Sequence, residues 1–461
     1  MLFSGIPFLY YFLPAVLICY FLAPRKLKNT VLLLSSLAFY AWGEPMYVFL
    51  MMGTILLFYL CGLAIGKATT QKAKKLWLIV SVVISLGLLA IFKYADFFIV
   101  SFSTITGLSI PLLRLTLPIG ISFYTFQCLS YTIDLYRGDT QPQKNIISFG
   151  AYVVLFPQLI AGPIVRYTDV AKELEIRHHS REGFYSGLRR FIVGLSKKVL
   201  LANQLGALTE LFRQSGDKSV VFYWMYAIAF TLHIYFDFSG YSDMAIGLGR
   251  IFGFRFPENF DYPYLSRSVT EFWRRWHMTL GGWFRDYVYI PLGGNRVSKG
   301  RWVLNILIVW ALTGLWHGAA WNFVLWGLLY AAFLLLERFF PIPEHLPTIL
   351  RRLYVMLIVV LGFVLFNATD LGQAISDVKG LFGFGAVPFV NSATLYALRS
   401  NAMLFVVCLV GCTPLVRNGA KKLDGKAIAA VLEPVLLIVL LLLCTAYLVD
   451  GSFNPFLYFR F

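Results

Sequence analysis

Long apolar segments constrain this chain more than any other feature of its sequence. A helix needs about 20 apolar residues to cross a hydrocarbon core about 30 Å thick. Runs close to that length are Ile6 to Ala23, Leu76 to Phe92, Leu353 to Phe366 and Ala427 to Leu448. They lack the polar-apolar alternation of membrane-barrel strands. We therefore predict an all-α polytopic membrane protein with about 11 to 13 transmembrane helices.

Composition supports that class and excludes a cytosolic enzyme of ordinary composition. Hydrophobic residues form 59% of the chain and charged residues only 14%, which is about half the charged fraction of a typical soluble domain. The six cysteines lie in or beside apolar stretches without convincing metal-ligand spacing, so we interpret them as small core residues and predict no metal site.

The net charge of +17, from 40 Lys and Arg against 23 Asp and Glu, indicates topology rather than nucleic-acid binding. Basic residues cluster between the apolar runs, and cytoplasmic loops of membrane proteins are enriched in Lys and Arg. The first run has no basic residue before Arg25 and is predicted to be an uncleaved span. Counting outward and inward from it places the N-terminus and the C-terminus outside the cytoplasm.

Two segments predict irregular helices with a polar environment. Phe97 to Leu113 and Leu117 to Leu135 are interrupted by Pro111 and Pro118, and broken helices are tolerated at membrane depth only where protein or water satisfies the backbone. The stretch Arg250 to Arg301 is too polar to cross as one helix.

Within that polar stretch, Trp273, Trp276, Leu280 and Trp283 recur at helical spacing, and mixed Trp and Arg suit a membrane interface. We predict short interfacial or re-entrant helices there, bent at Gly281-Gly282. Thr369 to Arg399 is expected to be the longest outer connection. The chain is predicted to form one domain, residues 1–461, with a motif-rich region at about 235–322.

Among six histidines, His317 and His277 are the candidates for chemistry. His317 follows an apolar segment, where burial would keep its imidazole neutral and able to accept a proton. A general base of this kind contributes roughly 10² to 10⁴ in rate. The alternatives are a structural histidine between helices at His317 and an aromatic-belt residue at His277.

Other residues of the same motifs are candidates for substrate binding. Arg274 and Arg285 could bind a phosphate or carboxylate, although both are equally explained as topogenic charge. Asp243, like Asp237 and Asp286, is more simply explained by pairing with an Arg or by fixing a histidine tautomer. Standard nucleotide-binding, zinc-protease and serine-hydrolase motifs are absent from the sequence.

At these residues the sequence resembles the membrane-bound O-acyltransferase superfamily, in particular its bacterial alginate O-acetyltransferase-like branch. The matching segments are Phe39 to Pro45, Pro118 to Gln127, Phe156 to Ile164, Tyr235 to Ala245, Glu271 to Arg296 and Leu312 to Asn322. The resemblance implies that His317 is the catalytic histidine and His277 the second characteristic one. Trp316 and Asn322, which flank His317 in its motif, are expected to contribute to substrate binding.

The resemblance also implies a helical fold around a central funnel or tunnel, in the cell's inner (cytoplasmic) membrane. An acyl thioester, from acetyl-CoA or an acyl carrier, would meet an acceptor from the outer side, with no tightly bound cofactor. The expected partners are membrane lipids, a polysaccharide acceptor and an extracytoplasmic serine-type acyltransferase. D-alanyl transfer to teichoic acid is the alternative within the enzyme class, and transport of acyl or glycan groups without bond formation is the alternative from another class.

Overall fold

This computed structural model describes residues 3–160, 162–342, 345–423, 425–451 and 456–457. The predicted placement of the two chain ends falls on residues outside this described part, as does Ala161 of the Phe156 to Ile164 motif. The described residues form helices, turns and irregular segments such as 107–118, apart from an isolated antiparallel bridge between Phe260 and Trp276. The prediction of an all-α protein is confirmed.

The chain forms two compact units, Met1–Phe191 with Tyr241–Pro257, and Ile192–Gly240 with Glu258–Phe461. The first unit contains α1 (Leu13–Leu22), α2 (Lys28–Gly43), α3 (Tyr47–Lys67), α4 (Gln71–Leu89), α5 (Ala95–Thr106), α6 (Ile121–Arg137), α7 (Ile146–Val154), α8 (Phe156–Leu159) and α9 (Tyr167–Glu175). Helices α10 (Arg181–Ser196) and α12 (Val220–Ile251) contribute residues to both units, and α11 (Asn203–Gln214) belongs to the second. That one domain covers the whole chain stays a prediction.

The second unit continues with two short helices and then with long helices separated by shorter ones. They are α13 (Val269–Arg275), α14 (Met278–Phe284), α15 (Lys299–His317), α16 (Trp321–Phe339), α17 (Thr348–Asn367), α18 (Leu371–Leu381), α19 (Ser392–Gly411), α20 (Leu415–Leu423) and α21 (Ala427–Asp450). The short helices expected between Arg250 and Arg301 are therefore confirmed.

Within the described residues, eight helical segments are long and apolar enough to cross a membrane, which confirms the multi-pass prediction. They are Tyr47–Lys67, Gln71–Thr106, Arg181–Gln214, Val220–Ile251, Trp321–Phe339, Thr348–Asn367, Ser392–Gly411 and Ala427–Asp450. Helices α2 and α6, with 16 and 17 residues, are shorter than these. The count of about 11 to 13 spans stays a prediction.

Two predicted boundaries are wrong. The helix that begins before Leu76 does not end at Phe92, because the π-helical turn Ala90–Tyr94 joins α4 to α5. The outer connection from Thr369 contains α18 and the start of α19. Each of these helices has an N-cap residue whose side chain accepts a hydrogen bond from a backbone N–H in the first turn. Asp370 accepts from Gln373, and Asn391 accepts from Thr394. Such N-caps stabilise the start of a helix.

The bend predicted at Gly281-Gly282 is also wrong in position. Both glycines lie inside α14, and the break between α13 and α14 falls at Trp276 and His277 instead. His277 adopts left-handed backbone angles, with φ 44° and ψ 52°, which few non-glycine residues do. Trp273 and Trp283, on either side of His277, therefore lie on helices, as their spacing predicts, but on two separate helices, α13 and α14.

Cysteine positions agree with a core role for five of the six residues. Cys61, Cys128, Cys408, Cys412 and Cys444 are buried, and all six cysteines carry free thiols. Cys19 is exposed, so the core interpretation is wrong for that residue.

Candidate active site

His317 is the last residue of α15, at a tight connection to α16. The two helices pack with almost no space between their backbones: a Cβ atom added at Gly314 would lie 2.2 Å from the carbonyl oxygen of Phe323, and one at Gly327 would lie 2.1 Å from that of Trp310. Small residues permit such close approach between membrane helices. The connection therefore holds the end of α15, and with it His317, in one place.

Aromatic rings surround His317, whose exposed fraction is 4%. Its ring centroid lies 5.0 Å from that of Trp316, 5.0 Å from that of Trp326 and 5.3 Å from that of Phe366, each nearly perpendicular. The Nε1 atom of Trp326 is buried and has no hydrogen-bond partner among the described residues. A buried donor left without a partner is costly, so this N–H is available to a bound molecule.

His277 is held in one tautomer by Asn259. Its Nδ1 lies 3.0 Å from Oδ1 of Asn259. The same oxygen accepts hydrogen bonds from the backbone N–H and the hydroxyl of Thr279, at 3.3 and 2.9 Å. Because an amide oxygen only accepts, Nδ1 must carry the proton and Nε2 the lone pair. Nε2 is buried without a hydrogen-bond partner in the part of the chain that the structure describes.

A short antiparallel pairing places Asn259 beside His277. The backbone N–H of Met278 donates to the Asn259 carbonyl at 3.0 Å, and that of Asp261 donates to the Arg275 carbonyl at 3.0 Å. These bonds flank the isolated bridge between Phe260 and Trp276. The sequence analysis missed Asn259, and no local motif marks it, because its role depends on pairing with a segment that lies outside its own neighbourhood in sequence.

Trp316 connects the two histidines. Its ring centroid lies 5.8 Å from that of His277 and 5.0 Å from that of His317. Phe238, on α12, presses its ring perpendicular to that of His277 at 4.6 Å. His277 lies between the candidate spans, and burial holds its pKa well below the usual range, with a further lowering from His317. Its imidazole is therefore neutral.

The other predicted substrate-binding residues are not all near these rings. The side-chain amide of Asn322 donates to the backbone carbonyl of Ala368 at 2.9 Å, which ties the start of α16 to the residue after α17. Arg274 and Arg285 are exposed, and Arg285 pairs with Asp286 at 2.7 Å. In the second unit, the structure thus brings His277, His317 and Trp316 together and leaves both arginines at the surface.

Pairing with an arginine is confirmed for two of the three carboxylates considered. Asp243 belongs to the first unit and pairs with Arg190 at 2.9 Å, and Asp286 pairs with Arg285. Asp237, in the second unit, pairs instead with a lysine, Lys198.

Comparison with known proteins identifies a family and its members. Residues 141–369, which include both histidines, match the model of MBOAT, the membrane-bound O-acyltransferase family. The chain is 41% identical to the probable alginate O-acetylase AlgI of Azotobacter vinelandii, over 92% of this chain and 87% of that protein. It is 42% identical to the probable alginate O-acetylase AlgI of Pseudomonas aeruginosa, over 93% and 84%.

Relatives with other printed activities are less similar. The peptidoglycan O-acetyltransferase of Helicobacter pylori is 34% identical over 90% of this chain and 86% of its own length. The teichoic acid D-alanyltransferase of Bacillus subtilis is 28% identical over 48% of this chain and 59% of its own length.

Proposed function

We propose that this chain, which belongs to the membrane-bound O-acyltransferase family, is an O-acetyltransferase that acts on hydroxyl groups of an exported or cell-surface polysaccharide. The observation that carries the proposal is a pair of buried histidines, His277 and His317, whose rings both contact that of Trp316. Nε2 of His277 carries a lone pair. The relatives named as alginate O-acetylases and as a peptidoglycan O-acetyltransferase support the acetyl group and the polymer class.

In the proposed reaction His317 is the general base. Its imidazole takes the proton of an acceptor hydroxyl while that oxygen forms a bond to the thioester carbonyl carbon. The tetrahedral intermediate then collapses, the carbon–sulfur bond breaks, and the leaving thiolate takes the proton back from the His317 imidazolium. The products are an ester and a thiol, and the histidine returns to its neutral form.

Trp326 is the proposed donor to the developing oxyanion. Its ring packs against that of His317, and its buried N–H has no partner among the described residues. A preorganised donor in a water-poor site strengthens its interaction as negative charge forms on the carbonyl oxygen.

His277 is proposed to position the acceptor. Two roles were open for it, to position or to protonate a reacting group. A neutral ring with its proton on Nδ1 presents only a lone pair at Nε2, so it accepts hydrogen bonds and has no proton to give there. Holding a second hydroxyl of the acceptor fits that atom better than protonating a leaving group.

The alternatives are less well supported. D-alanyl transfer is the printed activity of a relative that aligns with less than half of this chain, 48%, whereas the three O-acetylating relatives named above align with 90% or more. Transport without bond formation does not account for membership of an acyltransferase family.

The remaining parts of the proposal concern the reactants and their route. We infer an acyl thioester donor from the cytoplasm, a tunnel to His317, and transfer either to the sugar or to a serine of an extracytoplasmic acyltransferase. The protein crosses a membrane several times, and its location in the inner membrane, with basic loops inside, rests on the distribution of Lys and Arg.

Replacing the proposed base tests the function. His317→Ala should reduce acetyl transfer by a factor of about 10² to 10⁴, measured as label moved from acetyl thioester to polysaccharide in membranes. His345→Ala is the matched control, because His345 is exposed and has no proposed role. Equal protein abundance must accompany the loss. Unchanged acetyl content in His317→Ala would remove the base assignment.

An experiment with labelled donors distinguishes acetyl transfer from D-alanyl transfer. Membranes supplied in parallel with acetyl thioester and with D-alanyl carrier thioester should transfer acetyl to a hydroxyl acceptor. Transfer of D-alanine alone would replace the proposed activity by the alternative.

A further inference from the structure

A buried ion pair joins two membrane helices of the second unit. Nζ of Lys198 lies 2.6 Å from Oδ1 of Asp237, and the two side chains are 2% and 1% exposed. Lys198 belongs to the π-helical turn Lys197–Ala202, which links α10 to α11. Charged groups at such depth are costly unless they are paired and hydrogen-bonded, and π-helical turns are frequent at functional sites.

A distant segment completes this pair. The backbone N–H of Leu457 donates a hydrogen bond to Oδ2 of Asp237 at 2.8 Å, 220 positions away in sequence. Phe456 lies with its ring centroid 5.7 Å from Nζ of Lys198. Both residues of this 456–457 segment are buried, with exposed fractions of 3% and 6%. The segment therefore covers the ion pair and supplies the partner of its second carboxylate oxygen.

Phe238 links the covered pair to the active site. It follows Asp237 directly on α12, and its ring centroid lies 6.3 Å from that of Phe456. The same ring stands perpendicular to that of His277 at 4.6 Å. Asp237 and Phe238 share the backbone of α12, so a displacement of that backbone at Asp237 would move Phe238 as well.

We propose that the 456–457 segment is a positioning element for His277. Its N–H holds Asp237 in place against Lys198, and its phenyl ring packs beside Phe238, so that Phe238 keeps the imidazole of His277 in one orientation. Leu457, Phe456, Asp237 and Lys198 act through Phe238 and do not touch the reacting groups. The structural part of this proposal, that the 456–457 segment positions His277, does not depend on which reaction the protein performs. The expected effect on turnover rests on the proposed function.

Proline substitution tests the hydrogen bond by itself. Leu457→Pro removes the N–H, whereas Leu457→Ala removes the side chain and keeps the N–H. The rate at which diethyl pyrocarbonate modifies His277 in the full-length protein, followed by mass spectrometry, should rise about tenfold in Leu457→Pro, as expected for loss of a hydrogen bond to a charged group. It should change less than about twofold in Leu457→Ala.

His233 is the internal control, since it is buried on the same helix, 7% exposed, in contact with Gly206. Its modification rate should stay constant in both variants. An equal rise at both histidines in Leu457→Pro would mean general loosening and would overturn the proposal, as would an unchanged rate at His277.

Turnover gives a second readout. Leu457→Pro should lower kcat about tenfold and leave KM for the donor unchanged. In a Phe238→Leu background the same substitution should cost less than about twofold, since residues that act through one another are non-additive. Additive effects would overturn the route through Phe238. If the wild-type protein transfers no acetyl group while the modification pattern holds, the proposed function fails and the positioning of His277 stands.

Discussion

His277 depends on Asn259, which lies 18 positions earlier, for its tautomer. The sequence analysis selected His317 because an imidazole in a membrane segment is conspicuous, and it selected His277 because the family resemblance marks it as the second characteristic histidine. It did not find Asn259, and it did not predict the left-handed backbone that turns His277 out of a continuous helix. At the scale of single residues, the type of the reactive group is therefore visible in sequence, and the protonation state depends on neighbours in space.

Asn259→Ala should lower kcat by a factor of about 10 to 100, because the N–H groups of His277 and Thr279 lose a buried acceptor. Asn259→Asp restores an acceptor but adds a negative charge, which raises the pKa of His277. His277 then becomes protonated at a higher pH, so the pH at which kcat falls on the acidic side of the profile should be higher in this variant. A wild-type profile in both variants would contradict the tautomer assignment.

Trp326→Phe keeps an aromatic ring beside His317 and removes only the indole N–H. If that N–H binds the oxyanion, kcat should fall about 100-fold with little change in KM. Trp321→Phe is the matched control on the same helix, because Trp321 is 53% exposed. Equal kinetics of the two variants would exclude Trp326 as the donor.

Apolar runs predicted the helices well where membrane burial alone decides their extent. The expected helix Leu353 to Phe366 is observed within Thr348–Asn367, and Ala427 to Leu448 is observed as Ala427–Asp450. Prediction failed where a helix end depends on local capping or on pairing with another segment, as at Asp370 and at His277. At the scale of elements, hydrophobicity therefore determines whether a helix forms, and individual hydrogen bonds determine where that helix begins and ends.

Gly314→Ala should destabilise the protein by about 1 to 3 kcal/mol, because the new Cβ would overlap the Phe323 backbone, which cannot move without separating α15 from α16. Gly300→Ala, on the same helix, is the control: a Cβ there meets nothing within 4 Å, and alanine favours helix over glycine. Thermal unfolding in detergent distinguishes the two, and equal midpoints would mean that this helix contact is not tight.

At the scale of the whole molecule, the Lys and Arg distribution predicts how the chain lies in its membrane. The basic stretch Lys67 to Lys75 covers the end of α3 and the start of α4, and the connection between α18 and α19 is one that the sequence places outside.

Reporter insertions test this orientation. Alkaline phosphatase, which is active only outside the cytoplasm, should be inactive when inserted after Ala68 and active when inserted after Gly385. A fluorescent protein that matures only in the cytoplasm should give the opposite pattern. The reverse result for both reporters would invert the predicted orientation and the proposed direction of acyl transfer.

The sequence by itself determined that this protein is helical and crosses a membrane, and it singled out two histidines as candidates for chemistry, because apolar length and side-chain chemistry are local properties. The tertiary structure alone decided that Trp316 lies between those histidines, that Asn259 fixes the proton of one, and that Leu457 holds Asp237. Those features join residues that are up to 220 positions apart, and packing and hydrogen bonding between distant segments leave no periodic or compositional signal in a single sequence.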